Sequence, residues 1–407
     1  MAYEDLNEFI ELLDKEGELL RIHEPVSPRL EITEITDRVS KAGGPALLFE
    51  NVQSPSGHPV AINLFGSMKR IKLALEVKSL DELAPDIMEL VEAERAEGLL
   101  QKLKLIPKVK RLGNIFPKKV KKAPCQEVII KEEQVDLTSI PILTCWSHDA
   151  GPFITLPLVV TQHPQAGKRN LGMYRMQVFD KNTTGMHWHA HKGGAEHYRV
   201  AEKLGQRLPV SVAIGADPAC VYAATAPLPE DVDELFLAGY LRKKPVDIVK
   251  CITNDLNVPA NAQYVLEGYV DPGERRVEGP FGDHTGFYSH AAEFPVFHVT
   301  CLTMRKNPIY HATVVGRPPT EDAFLGKATE RLFLPIICSL FFVLAGLVAA
   351  MPWPYSAGIA IVAFLLVMEH RIVSGARFEK INLAFFTVNS YESVTLLAGV
   401  VASLLLA

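Results

Sequence analysis

Side chains able to do chemistry are concentrated in four places in this sequence. Glu278-Gly279-Pro280-Phe281-Gly282-Asp283-His284-Thr285-Gly286 sets two carboxylates and a histidine among glycines and a proline. Asn170-Leu171-Gly172-Met173-Tyr174-Arg175 carries an amide and a guanidinium, and His187-Trp188-His189-Ala190-His191-Lys192-Gly193-Gly194 carries alternating histidines ahead of a lysine and two glycines. Glu234 stands apart, on a predicted amphipathic helix. A stretch of this composition is a shaped loop that can bring its side chains close to a ligand. A surface turn with solvated acids has the same composition, since glycine and proline at this density exclude only a helix interior and a regular central strand.

The alternating histidines would share one face of a strand, which brings zinc to mind. Zinc prefers closed nitrogen and sulfur sets or three protein ligands plus water, and no cysteine or second histidine pair sits at supporting spacing. Lys192-Gly193-Gly194 is better suited to a phosphate, on which backbone N–H groups and an ammonium converge. Asn170 and Glu234 would suit a hard, oxygen-liganded cation, with a histidine as third ligand and phosphate oxygens completing the sphere. Arg175 suits a bidentate carboxylate pair and equally a surface strand.

The elements that must position these residues change character along the chain. Leu6, Phe9, Ile10 and Leu13 fall at helical spacing. Short strands at Leu19 to Ile22, Ala46 to Phe49 and Val60 to Leu64 alternate with helices at Ile32 to Val39 and from Pro85 through Leu105, a mixed α/β pattern. Lys102 to Lys122 is rich in basic residues and broken by prolines, a solvated linker or a patch facing anionic lipid or an acidic substrate. From Gln126 to His311 the pattern becomes β-rich, with helices at Ala195 to Leu204 and Val232 to Arg242, and predicts a barrel or sandwich.

The chain has 407 residues, 48% hydrophobic and 22% charged, enough for two or three domains with sizeable cores. Its net charge of −5 argues against a nucleic-acid binder. Six scattered cysteines without a CxxC pair read as reduced thiols in a cytoplasmic setting. The final quarter is different: Leu332 to Met351 lacks any charge, and Trp353 to Met368 and Ser393 to Ala407 are further apolar candidates. About three transmembrane helices are expected there. Arg331 on one side and Arg371, Arg377 and Lys380 between the later spans place the soluble part on the cytoplasmic side of the cell membrane.

Several long motifs, in order, are similar to the UbiD family of decarboxylases: Thr144 to Pro152, Asn170 to Arg175, His191 to Gly194, Pro209 to Asp217, Glu278 to Gly286 and Val315 to Pro319. The resemblance covers residues 1–337 and implies an α+β chain. Residues 1–122 would form an N-terminal α/β domain and basic linker, 123–331 a central split β-barrel of flavin-reductase type, and 332–407 the transmembrane helices in place of the family's further α/β domain. It implies prenylated FMN as cofactor, with manganese and potassium nearby. Asn170, His191 and Glu234 match the family's metal ligands. Met173, Tyr174, Arg175, His187, Trp188, His189, Lys192 and Gly193 match segments that contact the flavin. Arg175, Glu278 and Asp283 match the catalytic set, with Asp283 as proton donor, a role that calls for a raised pKa.

The implied reaction is non-oxidative loss of CO₂ from a polyprenylated 4-hydroxybenzoate-type acid in ubiquinone or menaquinone assembly. The implied partners are a flavin prenyltransferase supplying the cofactor, the membrane, and further copies in a homo-oligomer. The alternatives are a membrane-anchored remnant that binds flavin or metal without turnover, and a decarboxylase of another aromatic acid. The last 75 or so residues resemble the end of a UbiA-type aromatic prenyltransferase at Glu369 to Val373 and Asn382 to Asn389, without the aspartates that family uses, so no prenyl transfer is expected.

Overall fold

The computed structural model describes residues 4–80, 83, 115–189, 192–228, 232–330 and 361. The chain divides into two compact units, 1–326 and 327–407, and all that follows concerns the first. Its helices are α1 (Leu6–Lys15), α2 (Glu31–Lys41), α3 (Met68–Ala74), α4 (Gly193–Lys203), α5 (Pro218–Ala223) and α6 (Glu234–Arg242). Its strands are β1 (Leu19–Ile22), β2 (Ala46–Phe49), β3 (Val60–Ile62), β4 (Lys118–Val120), β5 (Val128–Lys131), β6 (Phe153–Ile154), β7 (Leu158–Gln162) and β8 (Arg169–Met173). After them come β9 (Met176–Gln177), β10 (Thr183–Gly185), β11 (Leu208–Ile214), β12 (Asp247–Lys250), β13 (Asn257–Pro259), β14 (Tyr264–Glu278), β15 (Ala292–Met304) and β16 (Tyr310–His311).

Helix α1 forms where periodicity predicts it: Leu6, Phe9, Ile10 and Leu13 are buried, and the Asp5 side chain caps the first turn by accepting from the Glu8 N–H. A four-stranded sheet in the order β1-β2-β3-β16 ties the chain's beginning to residues 310–311. The larger, seven-stranded sheet runs β10-β15-β14-β11-β7-β8, with β5 also on β15. Its pairings are antiparallel. Side chains from both sheets, including Leu47, Phe49, Ile62, Val159, Val212, Leu266, Phe297 and Tyr310, share one buried core.

The long hairpin of β14 and β15 is the sheet's spine. Gly268 sits at a shift in the hairpin's register, and a Cβ there would lie 1.8 Å from the His298 carbonyl oxygen. The hairpin's register ends with Glu278 opposite Ala292, so the chemically rich loop is the connection between its two longest strands.

Two expectations about the fold class are corrected. The strands do not close into a split β-barrel: this is an α/β fold with open sheets, in which β8 and β10 are the ends of the path and do not pair with each other. The strand spacing that predicted a barrel is common to both, because closure depends on tilt and stagger that spacing does not carry. The expected transmembrane helices, and the cell-membrane localisation drawn from them, are corrected too: among the described residues no helix is long and apolar enough to cross a membrane. The stretch 332–407 on which that expectation fell lies outside them, apart from Ile361, as does the helix expected from Pro85 to Leu105.

Candidate active site

Glu278 is held in place by the end of β14, and its side chain is fully buried. The loop that follows is fixed from two directions. Gly279 N–H donates to Gln177 Oε1 at 2.8 Å, and Ala150 N–H donates to the Pro280 carbonyl at 2.9 Å. Asp149 braces the segment from below, accepting from Gly282 N–H at 2.8 Å through one oxygen and from Trp146 N–H at 2.8 Å through the other. The Trp146 indole lies so close to Gly282 that a Cβ there would meet it at 2.1 Å, and its Nε1 donates to the Val315 carbonyl. A turn from Asp283 closes on Gly286, whose φ of +82° is a conformation glycine adopts without strain.

Arg175, on the bend between β8 and β9, joins the two acids. Its Nε donates to Glu278 Oε1 at 3.1 Å, its Nη1 to Asp283 Oδ2 at 2.9 Å and its Nη2 to Ser289 Oγ at 3.1 Å. The guanidinium also lies 4.6 Å from the centre of the Phe281 ring, a cation–π contact. All three donor directions of the fork are thus used, and the group is fixed by residues more than a hundred positions away. His187 Nδ1 adds a second, 2.7 Å bond to Glu278 Oε1.

Asp283 is in a different situation. Burial pushes its carboxyl up, but the His284 imidazole at 2.8 Å, the His284 backbone N–H at 2.7 Å and the Arg175 charge outweigh that and hold it below the usual carboxylate range. The raised pKa expected of a proton donor is therefore not present in this arrangement. The neighbours that lower it are hydrogen bonds to the charged form, which favour ionisation.

Of the predicted metal and flavin residues, Asn170, Tyr174, Gly193 and Glu234 lie together near the start of α4. Asn170 Nδ2 donates to the Tyr174 hydroxyl at 3.3 Å, which also accepts from Gly194 N–H at 3.3 Å. Gly193 packs directly on Asn170, where a Cβ would be 2.2 Å from Oδ1. Glu234, first residue of α6, accepts from Leu171 N–H at 3.0 Å beside Asn170, and burial pushes its carboxyl up to about 7. Trp188 is buried, edge-on to Tyr174, with a buried Nε1 that has no hydrogen-bond partner among the described residues; His189 and Lys192 are exposed, and Met173 is half-buried. His191 lies outside the described residues.

Sequence reasoning missed the polar groups that hold the acids: His187 on Glu278, His284 on Asp283, Ser289 on Arg175, and the Trp146 and Asp149 brace. His284, Trp146 and Asp149 lie inside quoted motifs, where their contacts had no spacing signal. Ser289 had no signal at all.

A family model described as the 3-octaprenyl-4-hydroxybenzoate carboxy-lyase Rift-related domain (UbiD) matches residues 118–318, and one for the N-terminal domain of that carboxy-lyase matches residues 10–91. An uncharacterized protein of Archaeoglobus fulgidus is 55% identical over 340 residues, covering 83% of this chain and 69% of its own length. The chain belongs to the UbiD family. Among solved structures, this UbiD-family carboxy-lyase is similar to an evolved dimeric form of the UbiD-class enzyme HmfF from Pelotomaculum thermopropionicum in complex with prFMN. The identity is 32% and the TM-score 0.69, covering 81% of this chain and 71% of that one. It is also similar to the closed form of Sedimentibacter hydroxybenzoicus vanillic acid decarboxylase, with 30% identity and a TM-score of 0.69 over 80% of this chain and 67% of that one.

Proposed function

We propose that this chain removes the carboxylate of an aromatic acid without net oxidation, using prenylated FMN and a divalent cation. The observation that carries the reading is the Arg175, Glu278 and Asp283 network, assembled from separate strands and a loop and partly withdrawn from water. The structural neighbour bound to prFMN and the vanillic acid decarboxylase support the cofactor and the substrate class. A 4-hydroxybenzoate-type acid, with or without a polyprenyl tail, and a place in quinone assembly are the finer proposal, supported by the description of the matching family model.

The residues present fit the implied groups. Asn170 and Glu234 offer oxygen donors, and a cation would compensate the buried Glu234 carboxylate, as manganese does among hard ligands. The eleven-residue helix α4 opens at Gly193 behind Lys192, where backbone N–H groups and an ammonium suit a phosphate. When bound, the modified flavin supplies the electron sink that no protein side chain offers.

The protein's own part is to hold the acid, exclude water and return a proton. The C–C bond to the carboxylate breaks, CO₂ leaves, and the carbon it left forms a C–H bond with a proton from Asp283, which is then reprotonated from solvent. A substrate carboxylate brought beside Asp283 adds a like charge, and that raises the carboxyl's pKa toward the protonated form the step requires. Arg175 keeps the cluster from accumulating unpaired negative charge. Coexpression with a flavin prenyltransferase, followed by assay of CO₂ release from hydroxybenzoates, tests the reading. Turnover by the native sequence and its loss in Glu278→Gln with flavin still bound are expected; normal turnover in that variant would overturn the assignment of Glu278.

A further inference from the structure

Glu278 has two chemically unequal oxygens. Oε1 accepts from Arg175 Nε at 3.1 Å and from His187 Nδ1 at 2.7 Å. Oε2 is buried and, among the described residues, has no hydrogen-bond partner; it lies by Gly185, where a Cβ would come within 2.9 Å of it and 3.2 Å of Phe179 Cζ. The carboxylate is therefore gripped through one oxygen while the other is kept clear by a glycine.

The histidine is itself held firmly. Its backbone N–H donates to the Arg175 carbonyl at 3.3 Å, its ring packs on Phe294 at 4.2 Å between centroids, and its side chain is 12% exposed. A carboxylate only accepts, so with Glu278 ionised the 2.7 Å contact is a donated N–H and the His187 proton sits on Nδ1. Arginine stays protonated, so it can orient Glu278 but cannot exchange a proton with it. Imidazole can do both.

We infer that His187 is a positioning residue for Glu278: its Nδ1–H fixes Oε1 together with Arg175, and Gly185 leaves Oε2 as the oxygen through which Glu278 meets its reacting partner. This assigns His187 a function on the acid rather than on the flavin, and it rests on the decarboxylase reading above. Each element would be needed for rate rather than for substrate affinity, because the fixed oxygen pair defines where the reacting oxygen lies.

The test uses the flavin-loaded protein and compares His187→Phe, His187→Asn and Gly185→Ala with the native sequence. His187→Phe should lower kcat by ~100-fold, the lower end of what a positioned acid–base group contributes, with KM within about threefold and flavin occupancy unchanged. His187→Asn, whose amide can donate from nearly the same place as Nδ1, should recover at least about tenfold of that loss. Gly185→Ala should lower kcat by about tenfold or more with His187 intact. In the ligand-free protein, selectively ¹⁵N-labelled histidine should show a downfield Nδ1–H proton resonance that is lost in His187→Asn and moved in Glu278→Gln.

The inference is overturned if His187→Phe keeps kcat within about threefold, if its loss follows flavin occupancy, or if His187→Asn is no better than His187→Phe. A resonance that ignores Glu278→Gln overturns it as well. Absence of turnover in the loaded native protein would strike the decarboxylase reading instead, and the resonance would still report the hydrogen bond.

Discussion

Glu278 and Asp283 lie on one loop and share one arginine, yet they occupy opposite environments. Glu278 ends a long strand, its side chain is wholly buried, and Arg175 and His187 grip a single oxygen. Asp283 sits at the turn, its side chain 28% exposed, with both oxygens taken by His284 and Arg175 and its carboxyl held low. Under the proposed mechanism, the partly exposed acid delivers the proton and the buried one presents an oxygen in a fixed place. A group that must deliver and recover a proton needs contact with solvent and neighbours that can change, whereas a group that defines geometry needs neither.

Breaking the shared link should have the larger effect. Arg175→Lys leaves a charge but removes the fork that spans Glu278 Oε1, Asp283 Oδ2 and Ser289 Oγ. A fall in kcat of ~100-fold or more is expected, measured as CO₂ release at saturating substrate with flavin occupancy checked by absorbance. If lysine supports near-native turnover, the acids are not coupled through the guanidinium.

A smaller effect should sharpen the contrast. His284→Ala removes the imidazole that lowers the Asp283 carboxyl, and its pKa should rise. A donor works only below its pKa, so the decline of kcat/KM on the alkaline side should move to higher pH in this variant. No movement of that limb would mean that Asp283 is not the group whose proton is delivered. The same substitution should leave the Glu278 contacts undisturbed, because none of them involves His284.

Local pattern carried much of the fold. Leu6, Phe9, Ile10 and Leu13 announce α1, and Leu19 to Ile22 and Ala46 to Phe49 become strands with those bounds, because periodicity and β-branched or aliphatic runs are written in neighbouring residues. Phe153 to Thr161 was less legible. It splits into β6 and β7, which pair with different strands, a division made by partners far away in sequence. Open sheets rather than a closed barrel were illegible for the same reason.

The site divides along the same line. Motif resemblance picked out Arg175, Glu278 and Asp283, and the structure brings all three within hydrogen-bonding reach. It did not show that His187 bonds Glu278 or that His284 bonds Asp283. Those facts depend on where a ring nitrogen ends up after strands separated by about ninety residues have packed.

The most direct measurement is to run the flavin-loaded protein in D₂O with a hydroxybenzoate and count deuterium at the carbon that lost its carboxylate. One deuterium at that position for each CO₂ released is expected, because the proton passes through a side chain that exchanges with solvent. Bound flavin with no CO₂ release, or product without deuterium at that carbon, would contradict the account.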